Sequence, residues 1–268
     1  MDTVKFYLRS MKMQLKCQLQ YPASFLLQTL AQFVMEGGEM LAVILILIVD
    51  RFDHLNQWTA GDLYFFFGIM SVTFYLTECF GRGVTGSFPS MVRSGQLDTL
   101  LLRPRGVLTQ VMCWAIDPRR IACIAVGVTA LVMGSHMAQV QWTLLKALAF
   151  AEAVVMGGIL TLGLFLIEGI FTIRSVKSVE LVNALTYGGR SACEYPIDIY
   201  PRPLRLLFTI AAPFALTLHC PAAYILGKPL YGWPAWAAFF TPLSGLISFC
   251  IFYLLFQHAM RFYRSTGS

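Results

Sequence analysis

Residues Phe80 to Gly106 read FGRGVTGSFPSMVRSGQLDTLLLRPRG. The stretch opens with a literal G-x-G-x-x-G at Gly81, Gly83 and Gly86, and closes as a leucine-rich segment studded with arginines. Such glycines cradle a dinucleotide only between a strand and a helix, with an acid about 20 residues further on for the ribose. Here an apolar segment precedes them and the next acid is Asp98, which is too close. The glycines are instead expected to let the chain turn sharply out of that apolar segment. Ser87 and Pro89 then resemble a helix start. Met91, Val92, Leu97, Leu100, Leu101 and Leu102 would give the helix an apolar underside, Arg93, Asp98, Arg103 and Arg105 a charged top, and Pro104 its end. The expectation is a short helix, Pro89–Leu102, lying flat at the base of a helical bundle. Its use is either to plug that base or to act as a lever against a cytosolic partner.

The surrounding composition says what kind of bundle. Of 268 residues, 57% are hydrophobic and 13% are charged, about half the charged fraction of a soluble domain. So much apolar surface has to face lipid. Six segments are long enough to cross a bilayer: Ala23–Val49, Asp62–Cys79, Ile121–His136, Leu144–Ile173, Leu204–Ile225 and Trp236–Tyr263. The fold class is therefore an all-α membrane protein of six transmembrane helices, with no internal repeat and no second domain. The first 20 residues are too charged for a signal core. Cys17, Cys79, Cys113, Cys123 and Cys250, five of seven cysteines, read as small core residues rather than parts of a disulfide framework.

Lysine and arginine set the orientation. With both termini cytoplasmic, the inner face collects Lys5, Arg9, Lys12, Lys16, Arg82, Arg93, Arg103, Arg105, Arg119, Arg120, Arg174, Lys177, Arg190, Arg202, Arg205, Arg261 and Arg264, which is 17 of the 20 basic residues. Arg51, Lys146 and Lys228 remain outside. The formal charge of +6 is thus a topological signal rather than a nucleic-acid footprint. Residues 1–20 form a separate element. Lys5, Arg9, Lys12 and Lys16 share one helical stripe, with Val4, Tyr7, Leu8, Met11 and Leu15 on a neighbouring face. That pattern predicts an amphipathic helix in the interface, its lysines at anionic lipid headgroups. Residues 21–268 are the six-span transmembrane domain, with cytoplasmic loops at 80–120 and 174–203 and an outer connection at 226–235.

Polar groups inside the apolar segments mark candidate sites. Glu36 and Glu39 share a face of the first span around Gly37–Gly38, and a carboxylate facing hydrocarbon costs roughly 2.5–3.5 kcal/mol. They either line a substrate path or make a subunit contact, or else pair with another helix or reach toward the outer surface; Glu78, Glu152 and Glu168 raise the question more weakly. Pro213 interrupts the fifth span, which is expected to end near Pro221. These prolines free the carbonyls of Thr209 and Thr217 and give a kink, a hinge or one end of a path. Tyr231, Trp233 and Trp236 suit the outer interface. Cys123, Gly127, Ala130 and Gly134 lie on one face of the third span and predict a close helix–helix contact. His54, His136 and His219 are scattered, so no metal site is expected, and no spacing supports a catalytic triad.

The segment GRGVTGSFPSMVRSGQLDTLLLRP resembles the cytoplasmic loop between spans two and three of bacterial type-2 ABC exporter permeases, in the six-span branch whose ATPase is a separate polypeptide. The segment TYGGRSACEYPIDIYPRPLRLLFTIAAPFALTLHCPAAYILGKPL, Thr186–Leu230, is similar to the same branch. The resemblance implies a non-catalytic permease subunit of an exporter in the bacterial inner membrane, paired with a second permease chain and with a soluble ATPase that holds ATP and Mg. It also implies a coupling helix at Pro89–Leu102, with Arg93, Gln96, Leu97, Asp98, Leu100 and Leu101 as contact residues, and an outer connection that dips back into the bilayer. Consistent with a separate ATPase, the chain contains no G-x-x-x-x-G-K-[ST]; Gly227-Lys228-Pro229 lacks the loop and the hydroxyl. Two rival classes are compatible with the same residues. A secondary transporter should show an inverted repeat. An intramembrane lipid-modifying enzyme using Glu36 and Glu39 needs a convergent partner such as histidine at the same depth.

Overall fold

Within hydrocarbon every backbone N–H and C=O has to be satisfied inside its own segment, which leaves helices as the solution for apolar stretches of this length. The computed structural model describes residues 3–48, 58–174, 179–230 and 233–263, and no strand occurs among them. In chain order the helices are α1 (Thr3–Gln18), α2 (Pro22–Ile48), α3 (Ala60–Arg82), α4 (Phe88–Arg93), α5 (Gln96–Leu101), α6 (Val107–Trp114), α7 (Ile121–Met137), α8 (Leu144–Arg174), α9 (Val179–Cys193), α10 (Arg202–Leu206), α11 (Cys220–Leu226), α12 (Ala237–Phe240) and α13 (Leu243–Met260). Arg51, His54, Lys177, Tyr231 and Arg264 lie outside the described residues.

Among the described residues, four helical stretches are long and apolar enough to cross a membrane: Ala60–Arg93, Pro118–Met137, Leu144–Ile173 and Ala237–Met260. Arg202–Ala211 and Ala215–Leu226 make a fifth only if two halves bent by 84° count as one span. The first expected segment is found as α2, 27 residues and about 40 Å long, unbroken at Gly37–Gly38.

The centre of the bundle is the antiparallel pair α3 and α7. Cys123, Gly127, Ala130 and Gly134 are all buried on the face that meets α3, as their spacing predicts. A methyl group on Gly68 would come within 2.5 Å of the Leu131 backbone, and one on Gly134 within 2.5 Å of the Phe65 backbone. The two backbones touch where a side chain would hold them apart. Helix α8 packs on the other side of α3 and carries α13 beside it, parallel to itself: Gly157 meets Thr73, Gly163 meets Phe249, and Gly169 meets Phe256.

The glycine motif makes no turn, contrary to the expectation for Gly81–Gly86. Helix α3 runs through it, by way of a π-helical stretch at Gly83–Ser87, into α4. Ser87 caps nothing and has helical backbone angles. Gly83 is required for another reason: a Cβ there would sit 2.0 Å from the Val111 carbonyl oxygen of α6. The turn comes later, at Gly95, whose φ of 70° is strained for any residue with a Cβ. It splits the expected helix Pro89–Leu102 into α4 and α5.

Pro89 explains the π-helical stretch. A proline inside a helix has no N–H and collides with the carbonyl four residues back. Widening the helix just before it moves that carbonyl aside. The same device recurs twice, at Leu207–Ala211 before Pro213 and at Ala215–His219 before Pro221. In each case the residue preceding the proline (Phe88, Ala212 or Cys220) donates its N–H five residues back, to Gly83, Leu207 or Ala215. Pro221 therefore does not end its helix, which continues to Leu226. Pro213 does break its helix, at the 84° bend.

Residues 174–203, expected as a loop, contain the 15-residue helix α9. It climbs alongside α3. The Tyr187 hydroxyl donates to Glu78, Arg190 reaches Ser71 and Tyr75 through their shared partner Glu36, and Tyr195 packs against the cluster of Leu63, Tyr64 and Phe67. Residues 63 and 78 of one helix are separated by roughly 22 Å at 1.5 Å per residue.

Candidate functional site

Three polar groupings stand at different depths along α3. At its N-terminal end, Thr59 and Asp62 form a reciprocal capping box. Asp62 also pairs with Lys228 at 2.9 Å, and Lys146 donates to the Ile225 carbonyl at 2.6 Å. Lys146 and Lys228, two of the three basic residues assigned to the outer face, thus meet at one end of the bundle.

About twenty residues further along, at the opposite end of the same helix, stand Glu78, Arg82, Asp117, Arg119 and Arg120. Glu78 accepts from Arg82 at 2.7 Å, Arg120 at 2.9 Å and Tyr187 at 3.0 Å. Arg119 grips Asp117 with two nitrogens at 2.6 and 3.0 Å and also donates to Gln28. Arg120 donates to Gln32 at 2.8 Å. Glu168 is buried near this group, with one carboxylate oxygen lacking a hydrogen-bond partner.

Helix α1 is fastened at that end. Tyr7 donates to the Phe80 carbonyl, Gln14 to that of Trp114 and Gln18 to that of Ile116, and Arg105 lies 4.1 Å over the Phe6 ring. Burial pushes the Tyr7 phenol up to about 12, so it stays a donor. Lys5, Arg9, Lys12 and Lys16 are exposed, as are Leu8 and Leu15. The α4–α5 corner lies at this end too. Of the residues expected to make contacts, Leu97 and Leu100 are core residues, 0% and 2% exposed, packed with Phe88, Met91 and Val111. Arg93 and Gln96 are exposed and Asp98 half-buried. Leu101 is 45% exposed and Leu102 87%. The helix underside is therefore Leu97 and Leu100, while Leu101 and Leu102 face outward.

Between these ends lies another largely buried charge cluster. Glu36 and Glu39 meet Arg190 and Glu194 of the α9 segment, brought together over some 150 residues of sequence. A single nitrogen, Arg190 Nη2, stands 2.7 Å from Glu36, 3.0 Å from Glu39 and 2.8 Å from Glu194. Its two protons are donated to Glu36 and Glu39, so Glu194 pairs by charge alone, and Nε has no hydrogen-bond partner. Ser71 and Tyr75 donate to the two oxygens of Glu36. The Arg190 guanidinium also lies 4.6 Å over the Tyr75 ring. Of the readings of Glu36 and Glu39, pairing with another helix describes this arrangement. Arg190, counted with the inner-face cations, is instead 5% exposed in the bundle. Oxygens of Glu36, Glu39 and Glu194 lie within 4.8 Å of one another, a spacing that could hold a cation. The guanidinium already supplies the positive charge at their centre.

Thr209 borders a cavity of about 190 Å³ shared with Ile197, Arg205, Ala215, Leu216, Cys220 and Trp233. Its hydroxyl returns to the Arg205 carbonyl four residues back, the usual resort of a threonine inside a bent helix. Pro213 sits at the bend beside this cavity. Sequence reading missed Arg190, Glu194 and Arg205 as site residues. The available signal was that two acids within a span require a cation, and Arg190 follows a glycine pair in a polar stretch.

A family model described as ABC-2 family transporter protein matches residues 33–267. Neither a curated protein nor a solved structure matches the chain.

Proposed function

The chain belongs to the ABC-2 family of transporter proteins, and from that premise we propose that it is the permease subunit of an ATP-driven exporter. It pairs with a second permease chain, identical or related, in a bacterial cytoplasmic membrane. ATP is bound and hydrolysed with Mg on a soluble partner, because no phosphate-binding loop exists in this sequence.

Six crossings with both termini inside fit the helices if α9 counts as the fifth. The set is then α2, α3, α7, α8, α9 and α13, in alternating directions. The bent pair Arg202–Ala211 and Ala215–Leu226 becomes a hairpin entering from the outer side. Its second half ends beside Lys146, its first half shares a cavity with Trp233, and neither partner belongs to the inner end. Residues 226–235 close that outer element. Helix α1 lies in the inner interface with its basic stripe at the headgroups.

The observation that carries the reading is the α4–α5 corner. Leu101 and Leu102 project from it beyond the apolar spans, flanked by Arg93, Gln96 and Arg103, at the end where α1 is fastened. An exposed leucine pair within a charged rim fits a groove on a cytosolic subunit. Because α4 continues α3 through the π-helical stretch at Gly83–Ser87, a push on the corner moves the central helix pair as a lever. Two discrete arrangements of the bundle, each favoured by a different nucleotide state of the partner, would give transport.

Mild solubilisation of the tagged chain from its native membrane, followed by mass spectrometry, tests the assembly. A soluble ATPase carrying G-x-x-x-x-G-K-[ST] is expected in the purified particle. Recovery of the chain alone, with vesicle uptake driven by an ion gradient, would contradict it.

A further inference from the structure

The cavity at the bent hairpin holds an arginine whose presence there requires a reason. Arg205 Nε donates to the Tyr200 carbonyl at 2.8 Å and Nη2 to the Asp198 carbonyl at 3.0 Å. Both partners are neutral backbone oxygens. Among the described residues no carboxylate lies within ion-pairing distance of Arg205, whereas Arg82, Arg119, Arg120, Arg190 and Lys228 each have one. The two carbonyls fix the plane of the guanidinium without supplying an ion pair. Around it stand Ile197, Leu216, Cys220 and Thr209, with Trp233, 49% exposed, at the edge. The volume equals that of about six waters of bulk liquid, enough for a phosphate- or carboxylate-sized group but not for a polymer.

Membrane proteins keep lysine and arginine off the translocated side. On the six-crossing reading above, on which this inference rests, Arg205 belongs to the outer hairpin and is an exception to that bias. Its surroundings are mainly apolar, with Arg205 and Thr209 as the polar side chains, and a tryptophan marks the boundary where lipid tails meet headgroups.

We propose that this cavity receives the anionic headgroup of an amphiphile, with Arg205 as the binding cation, and Leu216 and Trp233 flanking the start of the apolar chain. The cargo is accordingly an amphiphile bearing a phosphate, sulfate or carboxylate, met at the outer end of its path. Guanidinium suits such groups because its planar fork presents paired donors to paired oxygens. A resident phospholipid has the same chemistry, so the test separates the two sources.

The full chain, in phosphatidylcholine nanodiscs with or without phosphatidylglycerol, is titrated with dodecyl phosphate and, separately, with dodecyltrimethylammonium, and tryptophan fluorescence is followed. Dodecyl phosphate should change the emission saturably in both kinds of disc, and Trp233→Phe should remove the change. Arg205→Gln should weaken binding about tenfold or more, the loss of charge-assisted hydrogen bonds. Arg205→Lys, which keeps the charge, should retain most of the response and shows that the pocket survives substitution. The ammonium amphiphile should produce no saturable response. Loss of the phosphate response only in discs containing phosphatidylglycerol would give the site to a membrane lipid and overturn the cargo assignment. Equal binding of both amphiphiles, or unchanged affinity in folded Arg205→Gln, would overturn the site itself. None of these readouts requires the ATPase, so failure here leaves the permease reading standing.

Discussion

Replacing Arg190 by methionine is expected to destabilise the protein by roughly 3–5 kcal/mol, the loss seen when one partner of a buried ion pair is removed. The physical reason is asymmetry. The arginine is one positive charge among three carboxylates, and its removal strands Glu36 and Glu194, with side chains 2% and 6% exposed. Glu39, at 47%, can turn toward solvent and contributes less. Thermal unfolding of the detergent-purified chain should show the loss, with Arg190→Lys intermediate. Adding Glu36→Gln and Glu194→Gln to the methionine variant should restore most of it, since neutral amides need no counter-charge. An unchanged melting temperature in Arg190→Met would mean that α9 is not held to α2 by this cluster.

The second large effect is expected at the α4–α5 corner. Leu101→Asp with Leu102→Asp should reduce ATP-driven transport by about tenfold or more, because central apolar contacts of an interface cost more than about 2 kcal/mol when lost. Both leucines face outward, so the chain should fold and insert as before. Leu97 lies in the core, and aspartate there would report on packing rather than contact. Normal transport in the Leu101/Leu102 variant would exclude the corner as the coupling element.

Much of this architecture is legible along the chain because its cause is local. Apolar length gives the spans, and the small face of Cys123, Gly127, Ala130 and Gly134 gives the α3–α7 contact. What stays hidden depends on partners distant in sequence. Helix α9 is too polar to read as a helix of the bundle, since Glu180, Asn183 and Arg190 sit in its 15 residues. Its arginine is matched by acids of α2 that lie 151 and 154 residues away, and no local window sees the match. The glycines at Gly81–Gly86 look like a turn because glycine permits one. Their actual requirement at Gly83, a carbonyl of α6 pressed against the backbone, comes from residues nearly thirty positions later. Likewise the prolines announce interruption but not its form. At Pro89 and Pro221 a widened turn absorbs the missing donor, and only at Pro213 does the helix bend sharply.

The proposed transporter divides its labour, with fuel consumed on one chain and converted into helix movement by another. ATP hydrolysis measured on this chain alone, on its soluble companion alone, and on the two reconstituted together tests that division most directly. The expected result is no nucleotide binding or turnover by the isolated chain, turnover by the companion, and a further stimulation on assembly that the Leu101/Leu102 aspartate variant fails to give. Hydrolysis by the isolated chain would contradict it.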